Sequence, residues 1–547
     1  MKKIVLLILV FSLMTHILTA CGNQGQSGEG SGKQTVSQDA DHMKKDKSTD
    51  DKAFSYPMKD VDLTWWLELT PSVAQNFSNL GDTAFAKNLQ QLTGADIEFI
   101  HPTIGQTKEQ FNLLVVSGNY PDIMEYNIVK NYIGGPAKAL EDGVIMDITD
   151  YIPKYAPHLY KFYQENPEYD KLSKTDDGRY YSFPFVRTDD YLKVYFGPVV
   201  NHVWLEKLGL DYPETMDDWY HMLTLFKEKM GATAPLTFEP ALLNTSTGSP
   251  FIGAFGIAED FYMDENGDIQ YGSIQPGYKK FLATFAKWYE EGLLDSDFAS
   301  VDRNQVAAKL TTGESGASMG YTGSRLGVWL KSTEDNPDID FIGVKYPVEH
   351  RGDIPKFTQR SFPLTGQGAY ISTTCTDVEA AMRVLDYAYS EEGKMFHNFG
   401  IEGESYDMID GYPTYKEFIM KNTEKPVAEV LGQYVRATYS GPFPQMREYN
   451  EQYGNSYEQQ VISKENWTIS ETEKYTLPNI TPTPEESAEI ASILSEVNTY
   501  RDEMQTLYIL GLEELSTYDT YVQNIRDMGI DRVIELYTKA LERFNNR

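Results

Sequence analysis

The chain has 547 residues, and its 81 acidic residues exceed its 48 basic residues by enough to give a net charge of −33. This excess of acid excludes a nucleic-acid-binding protein, because binding to phosphate requires a basic face. There are two cysteines, Cys21 and Cys375, so the body after Cys21 has no internal disulfide. The length allows more than one hydrophobic core, since single cores stop growing at about 250–300 residues.

The first 21 residues have the pattern of an export signal. A basic start, MKK, is followed by a short apolar run and then by small residues, the three parts of a secretory signal. A transmembrane helix requires about 20 apolar residues, and this run is shorter. Residues 18–21, Leu-Thr-Ala-Cys, resemble the bacterial lipobox, so we predict a lipoprotein signal peptide at 1–20 and lipidation of Cys21. The alternative is an ordinary export signal that contains a cysteine by chance.

Residues 21–55 are predicted to form a disordered tether. They contain almost no large apolar residue and are rich in Gly, Ser and charged residues, so they cannot bury enough surface to fold. The sequence therefore predicts an extracytoplasmic protein that a lipid on Cys21 anchors to the bacterial cell membrane.

Strands and amphipathic helices alternate in the segment that follows the tether. Apolar alternation predicts strands, and apolar positions three and four apart predict helices. The predicted elements are a strand at 61–67, a helix at 85–94, a strand at 95–102, a helix at 107–119 and a strand at 120–127. This order indicates βαβ units with a parallel sheet.

Later segments are mostly helical in pattern. Helices are predicted at 204–210, 215–231 and 278–294, and the last of these has Phe281, Phe285, Trp288 and Tyr289 on one face. Residues 483–511 and 516–544 are also helical in pattern.

Catalytic and metal-binding motifs are missing from the sequence. It contains no H-E-x-x-H and no P-loop, so we expect a non-catalytic protein without cofactor or metal. The stretch DENGD at 264–268 begins like an EF-hand, but its glycine is at position 4 instead of 6, and we predict a hairpin turn. We interpret Cys375 as a small packed residue.

Several segments resemble one protein family in their order along the chain. They include SGNYPDIMEY (117–126), GRYYSFPFVR (178–187), WLEKLGLDYPETMDDWYHML (204–223) and YGSIQPGYKKFLATFAKWYEEGLLDSDF (271–298). With the lipobox, they resemble the family 1 extracellular solute-binding proteins, the lipoprotein components of ABC-type carbohydrate importers, in their long-chain branch.

The resemblance implies an α/β fold of the periplasmic-binding-protein type, with two lobes, a hinge and an interlobe ligand cleft (type II-like). We expect lobe 1 to comprise residues 56–187 and 367–438. Lobe 2 is expected to comprise residues 188–366 and 439–547, with a helical C-terminus.

Candidate ligand-binding residues follow from the chemistry of sugars, which present apolar C–H faces and a rim of hydroxyls. Such a site requires aromatic platforms and planar polar side chains, and the carboxyl ends of strands face the crevice of an open α/β sheet. Trp66 and Glu68 end the first strand, where alternation directs Trp65 and Trp66 to opposite faces. Core packing is the alternative role for Trp66. Tyr126 and Asn127 end a neighbouring strand.

The remaining candidates lie where the chain is expected to cross between lobes or to end a strand. Arg187 and Thr188 follow the FPFV segment, and an interlobe salt bridge is the alternative role for Arg187. The other candidates are Tyr321, Arg325 and Trp329, which follow an apolar strand, and Tyr439.

We therefore predict a binding protein that captures a carbohydrate by cleft closure, and we expect this carbohydrate to be an oligosaccharide. Its partners are the oligosaccharide, the permease subunits of an ABC importer, and the membrane through the lipid anchor alone. We expect a monomer that binds no nucleic acid. The alternatives are an exported carbohydrate-active enzyme, or a binding protein for peptides or acidic sugars.

Overall fold

The computed structural model describes residues 54–243, 250–436 and 441–546. The predicted signal peptide, Cys21, nearly all of the predicted tether, and Tyr439 lie outside these residues. In the part of the chain that is described, no helix is both long and apolar enough to cross a membrane.

Twelve strands are present in the described residues. They are β1 (Val61–Trp66), β2 (Ala95–Ile100), β3 (Ile123–Tyr126), β4 (Phe183–Val186), β5 (Phe196–Asn201), β6 (Phe261–Met263), β7 (Ile269–Tyr271), β8 (Ala317–Tyr321), β9 (Phe341–Gly343), β10 (Leu364–Ile371), β11 (Tyr406–Ile409) and β12 (Tyr412–Tyr415).

The described helices divide into those before and those after residue 300. The first group is α1 (Pro71–Ala74), α2 (Ala84–Thr93), α3 (Thr107–Ser117), α4 (Ile128–Asn131), α5 (Gly135–Glu141), α6 (Ile152–Tyr155), α7 (Pro157–Glu165), α8 (Pro167–Leu172), α9 (Asp190–Lys193), α10 (His202–Leu208), α11 (Met216–Met230) and α12 (Pro276–Glu290). The second group is α13 (Arg303–Thr311), α14 (Val328–Thr333), α15 (Val378–Tyr387), α16 (Glu391–Phe399), α17 (Glu417–Met420), α18 (Val427–Leu431), α19 (Arg447–Tyr453), α20 (Glu458–Thr468), α21 (Pro484–Ile509), α22 (Tyr518–Asp527) and α23 (Ile530–Asn545).

A five-stranded sheet with the order β2-β1-β3-β10-β4 forms the centre of the first lobe. The strands β1, β2 and β3 pair in parallel, as the alternation of strands and helices predicts. The strand β10 pairs antiparallel with both β3 and β4, so the five-stranded sheet as a whole is mixed. The reason is that β10 arrives from the second lobe and not through a crossover helix.

The two faces of this sheet are buried against separate layers. Leu63 and Trp65 of β1 pack into the larger core, with helices such as α2 and α15. Trp66 lies on the opposite face, with Phe111 of α3. The predicted alternation of Trp65 and Trp66 is therefore confirmed.

A three-stranded antiparallel sheet with the order β8-β5-β9 forms the centre of the second lobe. One core beside it includes α11, α12 and the C-terminal helices α21, α22 and α23. On its other face, Trp467 of α20 lies against Gly197 and Gly343. A Cβ atom at either glycine would come within about 2.6 Å of the Trp467 side chain or its neighbours, so these two strand positions require glycine.

The chain passes repeatedly between the two sheets. It leaves the first sheet after β4 to enter the second at β5, and it returns between β9 and β10. Later, Val430 and Leu431 of α18 pack in the first core, whereas α20 packs on β9 and β5. Each of these two sheets is thus built from segments that are distant in sequence.

The segment 264–268 forms the turn of the predicted hairpin. The strands β6 and β7 pair antiparallel on either side of it. A carboxylate oxygen of Asp264 accepts hydrogen bonds from the backbone N–H groups of Asn266 and Asp268, and Gly267 has φ +84°. The hairpin prediction is confirmed.

Candidate ligand-binding site

A cavity of about 750 Å³ lies between elements of the two lobes. Its first wall belongs to the first lobe and consists of α3 residues and the segment from Val129 to Ala137, which directly follows β3. Its second wall belongs to the second lobe and consists of residues around 258–262 and 357–362, the segment 475–482 and one face of α21. This volume is typical of small-molecule sites, which occupy roughly 300–1,000 Å³.

Aromatic and amide side chains are prominent in the cavity lining. The aromatic members are Tyr132, Phe261, Tyr262, Phe357, Phe362, Tyr475 and Tyr537. Asn112, Asn131 and Asn479 contribute amides, and several threonines contribute hydroxyls. Such a lining offers ring faces to apolar groups and hydrogen bonds to polar ones.

Four of these aromatic residues remain partly exposed: Tyr132, Phe261, Phe362 and Tyr537. Phe362, in the segment that returns to β10, is half-buried. Tyr132 lies between α4 and α5, and its hydroxyl donates to Asp142 Oδ2 at 2.8 Å, which fixes the ring. The other wall also contains Arg360, which pairs with Asp190 and Glu473 and so brings little net charge.

Glu259 belongs to the cavity lining, and its carboxyl group is buried in the second lobe. Its Oε1 accepts hydrogen bonds from Gln505 Nε2 at 2.7 Å and from the Tyr278 hydroxyl at 3.3 Å. Burial raises the pKa of this carboxyl to about 8, with Asp502 and Asp260 adding to the effect against the opposing charge of Arg501.

The structure gives Trp66 a packing role. Its side chain is 4% exposed, and its ring lies 5.8 Å from Phe111 and 5.9 Å from Tyr126. Tyr126 is half-buried, and burial together with the nearby Glu68 raises its hydroxyl pKa. Trp66 therefore offers no free ring face in this conformation, whereas Tyr126 and Glu68 are partly accessible.

Asn127 is occupied as a helix cap. Its Oδ1 accepts from the Lys130 backbone N–H at 3.0 Å, and its Nδ2 donates to the Thr365 carbonyl at 3.1 Å. Its amide thus holds the start of α4 against β10 instead of pointing at a ligand.

Arg187 lies in the first passage between the lobes. Its Nε donates to Gln445 Oε1 at 3.1 Å, and its guanidinium stacks between Phe185 and Tyr195. Within the described residues it forms no ion pair, so the salt bridge considered as its alternative role is not present there. Thr188 beside it is exposed.

The three candidates after β8 have different surroundings. Tyr321 is half-buried and stacks with Tyr195 at 6.1 Å, which brings it near Arg187. Arg325, in a π-helical turn (Thr322–Gly327), donates to both carboxylate oxygens of Glu239. Trp329 is 1% exposed and packs in the core behind β8. Its ring is therefore not accessible for the predicted stacking on a sugar.

The predicted residues thus form two small groups, Glu68 with Tyr126 and Arg187 with Tyr321. None of the nine predicted residues that the structure describes lines the cavity of about 750 Å³. The segment from Val129 lines the cavity and follows β3 directly, so the rule that strand ends face the ligand leads to this edge of the first sheet. The rule missed the segment 475–482, which has no strand or helix pattern; the run of Thr, Asn and Pro residues there was the available signal.

Comparison with known proteins gives consistent results. Residues 75–395 match the family model described as bacterial extracellular solute-binding protein. "Lipoprotein LipO" of Bacillus subtilis (strain 168) is 25% identical over 469 residues, which cover 83% of this chain and 85% of LipO. The fructooligosaccharide ABC transporter substrate-binding protein FusA of Streptococcus pneumoniae serotype 4 (strain ATCC BAA-334 / TIGR4) is 22% identical over 490 residues, covering 84% and 86%.

A solved structure from Bifidobacterium longum infantis ATCC 15697 has the same fold. This HMO-binding, ABC-transporter-associated solute-binding protein aligns with a TM-score of 0.71 at 17% identity, over 88% of this chain and 99% of that one. The family model spans more than half of the chain, and the resemblance found in the sequence is confirmed. The chain belongs to the family of bacterial extracellular solute-binding proteins.

Proposed function

We propose that this protein is the membrane-anchored receptor of an ABC importer and that it binds an oligosaccharide in the cavity between its lobes. The cavity of about 750 Å³, with partly exposed rings and amides on both walls, is the observation that carries the proposal. FusA is described as a fructooligosaccharide-binding component of an ABC transporter, and LipO as a lipoprotein. Both descriptions support the proposed ligand class and a lipid on Cys21.

We propose Tyr132, Phe362 and the cavity amides as the main contacts of the ligand. Glu68, Tyr126, Arg187, Thr188 and Tyr321 remain proposed contacts for parts of a longer chain that extend beyond the cavity. Tyr439, which lies outside the described residues, remains a proposed ligand contact. Trp66, Asn127, Arg325 and Trp329 are better explained by packing, capping and pairing.

For the lobe boundaries we propose a small revision. Lobe 1 keeps residues 56–187, and its second segment is extended to 453. Phe443 and Tyr449 pack in the first core, which supports that extension. Lobe 2 then resumes at α20, and the helical C-terminus belongs to it.

A thermal-shift screen tests the proposed function. The purified protein is melted alone and with maltotriose, xylotriose, 1-kestose and trigalacturonate, with short peptides as the control set. A ligand at 100 times its dissociation constant adds about 2.7 kcal/mol to stability, which is readily measured. A shift with peptides and with none of the sugars would contradict the proposal.

We propose further that the protein does not cleave its ligand. A glycosidase would require two carboxyl groups at a fixed separation across the cleft. Prolonged incubation with the same sugars, followed by analysis of chain lengths, decides between a binding protein and an enzyme. Shortened products would establish an enzyme and contradict this proposal.

A further inference from the structure

We propose that Asp260 and Tyr537 form a hydroxyl-binding subsite on the second wall of the cavity, and that this subsite selects an uncharged sugar against a uronic acid. In this subsite the Asp260 carboxylate accepts hydrogen bonds from sugar hydroxyls, and the Tyr537 hydroxyl donates one. The inference rests on the proposed function, since it names the class of sugar that the same cavity binds.

The first step of the argument is that the backbone at Asp260 is held in place. Asp260 directly precedes β6, and its carbonyl accepts a hydrogen bond from the Gly272 N–H at 3.1 Å. A Cβ atom at Gly272 would lie 1.6 Å from the Ala258 carbonyl oxygen, so the two segments are in close contact. The Met263 N–H donates to the Tyr475 carbonyl at 2.8 Å, which ties β6 to the start of the cavity segment 475–482.

The second step is that the Asp260 side chain is open to the cavity. Its neighbour Glu259 is 8% exposed and is bonded to Gln505, whereas Asp260 is exposed and lines the cavity. Among the described residues, the Phe261 backbone N–H donates to the Asp260 carboxylate, and no side chain does so. A carboxylate has about four acceptor positions, so most of them remain for a ligand.

The third step is that Tyr537 places a donor beside this acceptor. Tyr537 of α23 is half-buried and lines the cavity, and its ring lies edge-on to Phe261 at 4.8 Å. Its hydroxyl has no hydrogen-bond partner in the described part of the chain, and it is not one of the enclosed polar atoms there. Burial raises the pKa of this hydroxyl to about 12, and the nearby charge of Asp260 adds to the effect, so the hydroxyl keeps its proton.

The fourth step concerns the charges around Asp260. Burial raises the pKa of this carboxyl, while Arg501 and the Phe261 N–H stabilise its charged form and Asp502 opposes it. Arg501 is 7% exposed, does not line the cavity, and donates through its Nε to Asp502 at 2.9 Å. A ligand at this wall therefore meets the carboxylate of Asp260 before it meets the cation behind it.

These observations favour an uncharged sugar. A hydroxyl can donate to Asp260 while a neighbouring hydroxyl accepts from Tyr537, which matches two adjacent hydroxyls of one ring. A uronic acid carboxylate at the same place would be repelled by Asp260. The exposed Lys108 and Lys130 belong to the opposite wall, so they do not remove this repulsion at the second wall.

The first experiment compares neutral and acidic sugars by calorimetric titration at pH 7.5. The wild type should bind the best of maltotriose, xylotriose and 1-kestose at least about tenfold more tightly than trigalacturonate. Asp260→Asn should weaken binding of the neutral sugar by about tenfold, because it loses charge-assisted hydrogen bonds. Its preference for the neutral sugar over trigalacturonate should fall by about tenfold or more, because the repulsion is also removed.

Asp264→Asn is the matched control for this experiment. It removes the same charge from the other end of β6, but Asp264 is not part of the cavity lining and its carboxylate accepts from the turn N–H groups of Asn266 and Asp268. The asparagine oxygen can accept the same bonds, so affinity and preference should match those of the wild type. An equal effect of both variants would show that Asp260 acts through net charge alone, and it would overturn the contact.

The second experiment tests the donor with Tyr537→Phe, which removes the hydroxyl and keeps the ring. Affinity for the neutral sugar should fall by about fivefold, the effect of one neutral hydrogen bond, with the preference against trigalacturonate unchanged. Denaturant unfolding of Asp260→Asn and Tyr537→Phe checks that both fold as the wild type does. Wild-type affinity of Tyr537→Phe would remove Tyr537 from the subsite and overturn the proposed pair.

The outcomes separate the inference from the function on which it rests. Tighter binding of trigalacturonate than of every neutral sugar by the wild type would overturn the inference while leaving sugar binding intact. Unchanged affinity and preference in Asp260→Asn would do the same. Binding of none of the four sugars would contradict the proposed function, and the inference would fall with it.

Discussion

Some aromatic rings of this protein are enclosed in a core, and others face the cavity. Trp329 is 1% exposed and Trp66 is 4% exposed, and both contact other core residues. Phe362 and Tyr132 are half-buried and line the cavity. Residue type alone cannot separate these roles, because stacking on a sugar and packing in a core use the same apolar surface.

Truncating one ring of each kind should separate affinity from stability. Phe362→Ala should weaken sugar binding by about thirtyfold, which corresponds to the roughly 2 kcal/mol of a buried aromatic contact. Trp329→Ala should instead lower the free energy of unfolding by about 3–5 kcal/mol and leave the affinity of the folded protein unchanged. Calorimetric titration and denaturant unfolding of both variants provide the measurement. If Trp329→Ala weakened binding and Phe362→Ala lowered only stability, Trp329 would be the ligand contact and Phe362 the packing residue.

Lys464 is a buried cation at the junction of the lobes. Its side chain is enclosed, its Nζ donates to Asn450 Oδ1 at 2.6 Å, and it lies 3.7 Å from the ring centre of Tyr191. Burial lowers its pKa to about 7, and the positive charges of Arg187 and Arg447 add to this against Asp189 and Glu451. The structure holds no carboxylate within ion-pair distance of Lys464 in its described residues.

The stability contribution of Lys464 should therefore rise with pH. Between about pH 7 and pH 10 the unfolded lysine keeps its proton while the folded one has lost it, so unfolding takes up a proton and stability increases. Lys464→Met keeps the packed stem and removes the charge. The wild type should gain up to about 1.4 kcal/mol per pH unit relative to this variant between pH 7.5 and 9, measured by denaturant unfolding. A constant difference would show that Lys464 titrates near its ordinary value.

At the scale of elements, local pattern predicted the helices and the first strands well. The predicted helix at 85–94 is α2, which ends at Gly94 with φ +77°, and the strand at 61–67 is β1. The direction of β10 was not predicted, because antiparallel pairing with β3 depends on where the chain re-enters the lobe. The segment 475–482 likewise reaches the cavity only because α20 and α21 fix its two ends.

The long helix α21 shows how a local signal supports the site. Thr483 and Glu486 form a capping box at its start, where the Thr483 hydroxyl accepts from the Glu486 N–H and the Glu486 carboxylate accepts from the Thr483 N–H. Ile490 and Leu494, about two and three turns after Thr483, line the cavity. The cap thus sets the beginning of an element that forms part of the second wall.

Removing this cap should lower stability by a modest amount. Thr483→Ala should reduce the free energy of unfolding by about 1 kcal/mol, because it leaves a helix N–H without its acceptor. Thr499→Ala is the matched control in the same helix, since Thr499 is exposed and alanine is the better helix former. Denaturant unfolding of both variants measures the effect. Equal losses for the two would show that the capping box contributes nothing specific.

At the scale of the whole molecule, a solute-binding protein must differ between its empty and loaded states, and closure of the lobes around the ligand is the available change. The cavity already has walls from both lobes in this structure. A second contact between the lobes lies at Asp176, whose carboxylate accepts from Arg543 Nε at 2.8 Å and from the Thr481 hydroxyl at 2.8 Å. Asp176 belongs to the loop after α8, and Arg543 belongs to the terminal helix α23. We expect this pair to hold the lobes in the closed arrangement.

Asp176→Asn should therefore weaken sugar binding without greatly changing stability. A partly exposed ion pair contributes up to about 1 kcal/mol, so loss of a contact made in the closed state should lower affinity by up to about fivefold.

Glu486→Gln is the matched control. It removes the other carboxylate that pairs with Arg543, but Glu486 and Arg543 belong to the same lobe. Its affinity should match that of the wild type, since the lost pair is present whether the lobes are open or closed. Calorimetric titration of both variants, with small-angle scattering to follow compaction on adding sugar, provides the measurement. If Asp176→Asn binds as tightly as the wild type and compacts equally, the contact persists in both states and the hinge must lie close to it.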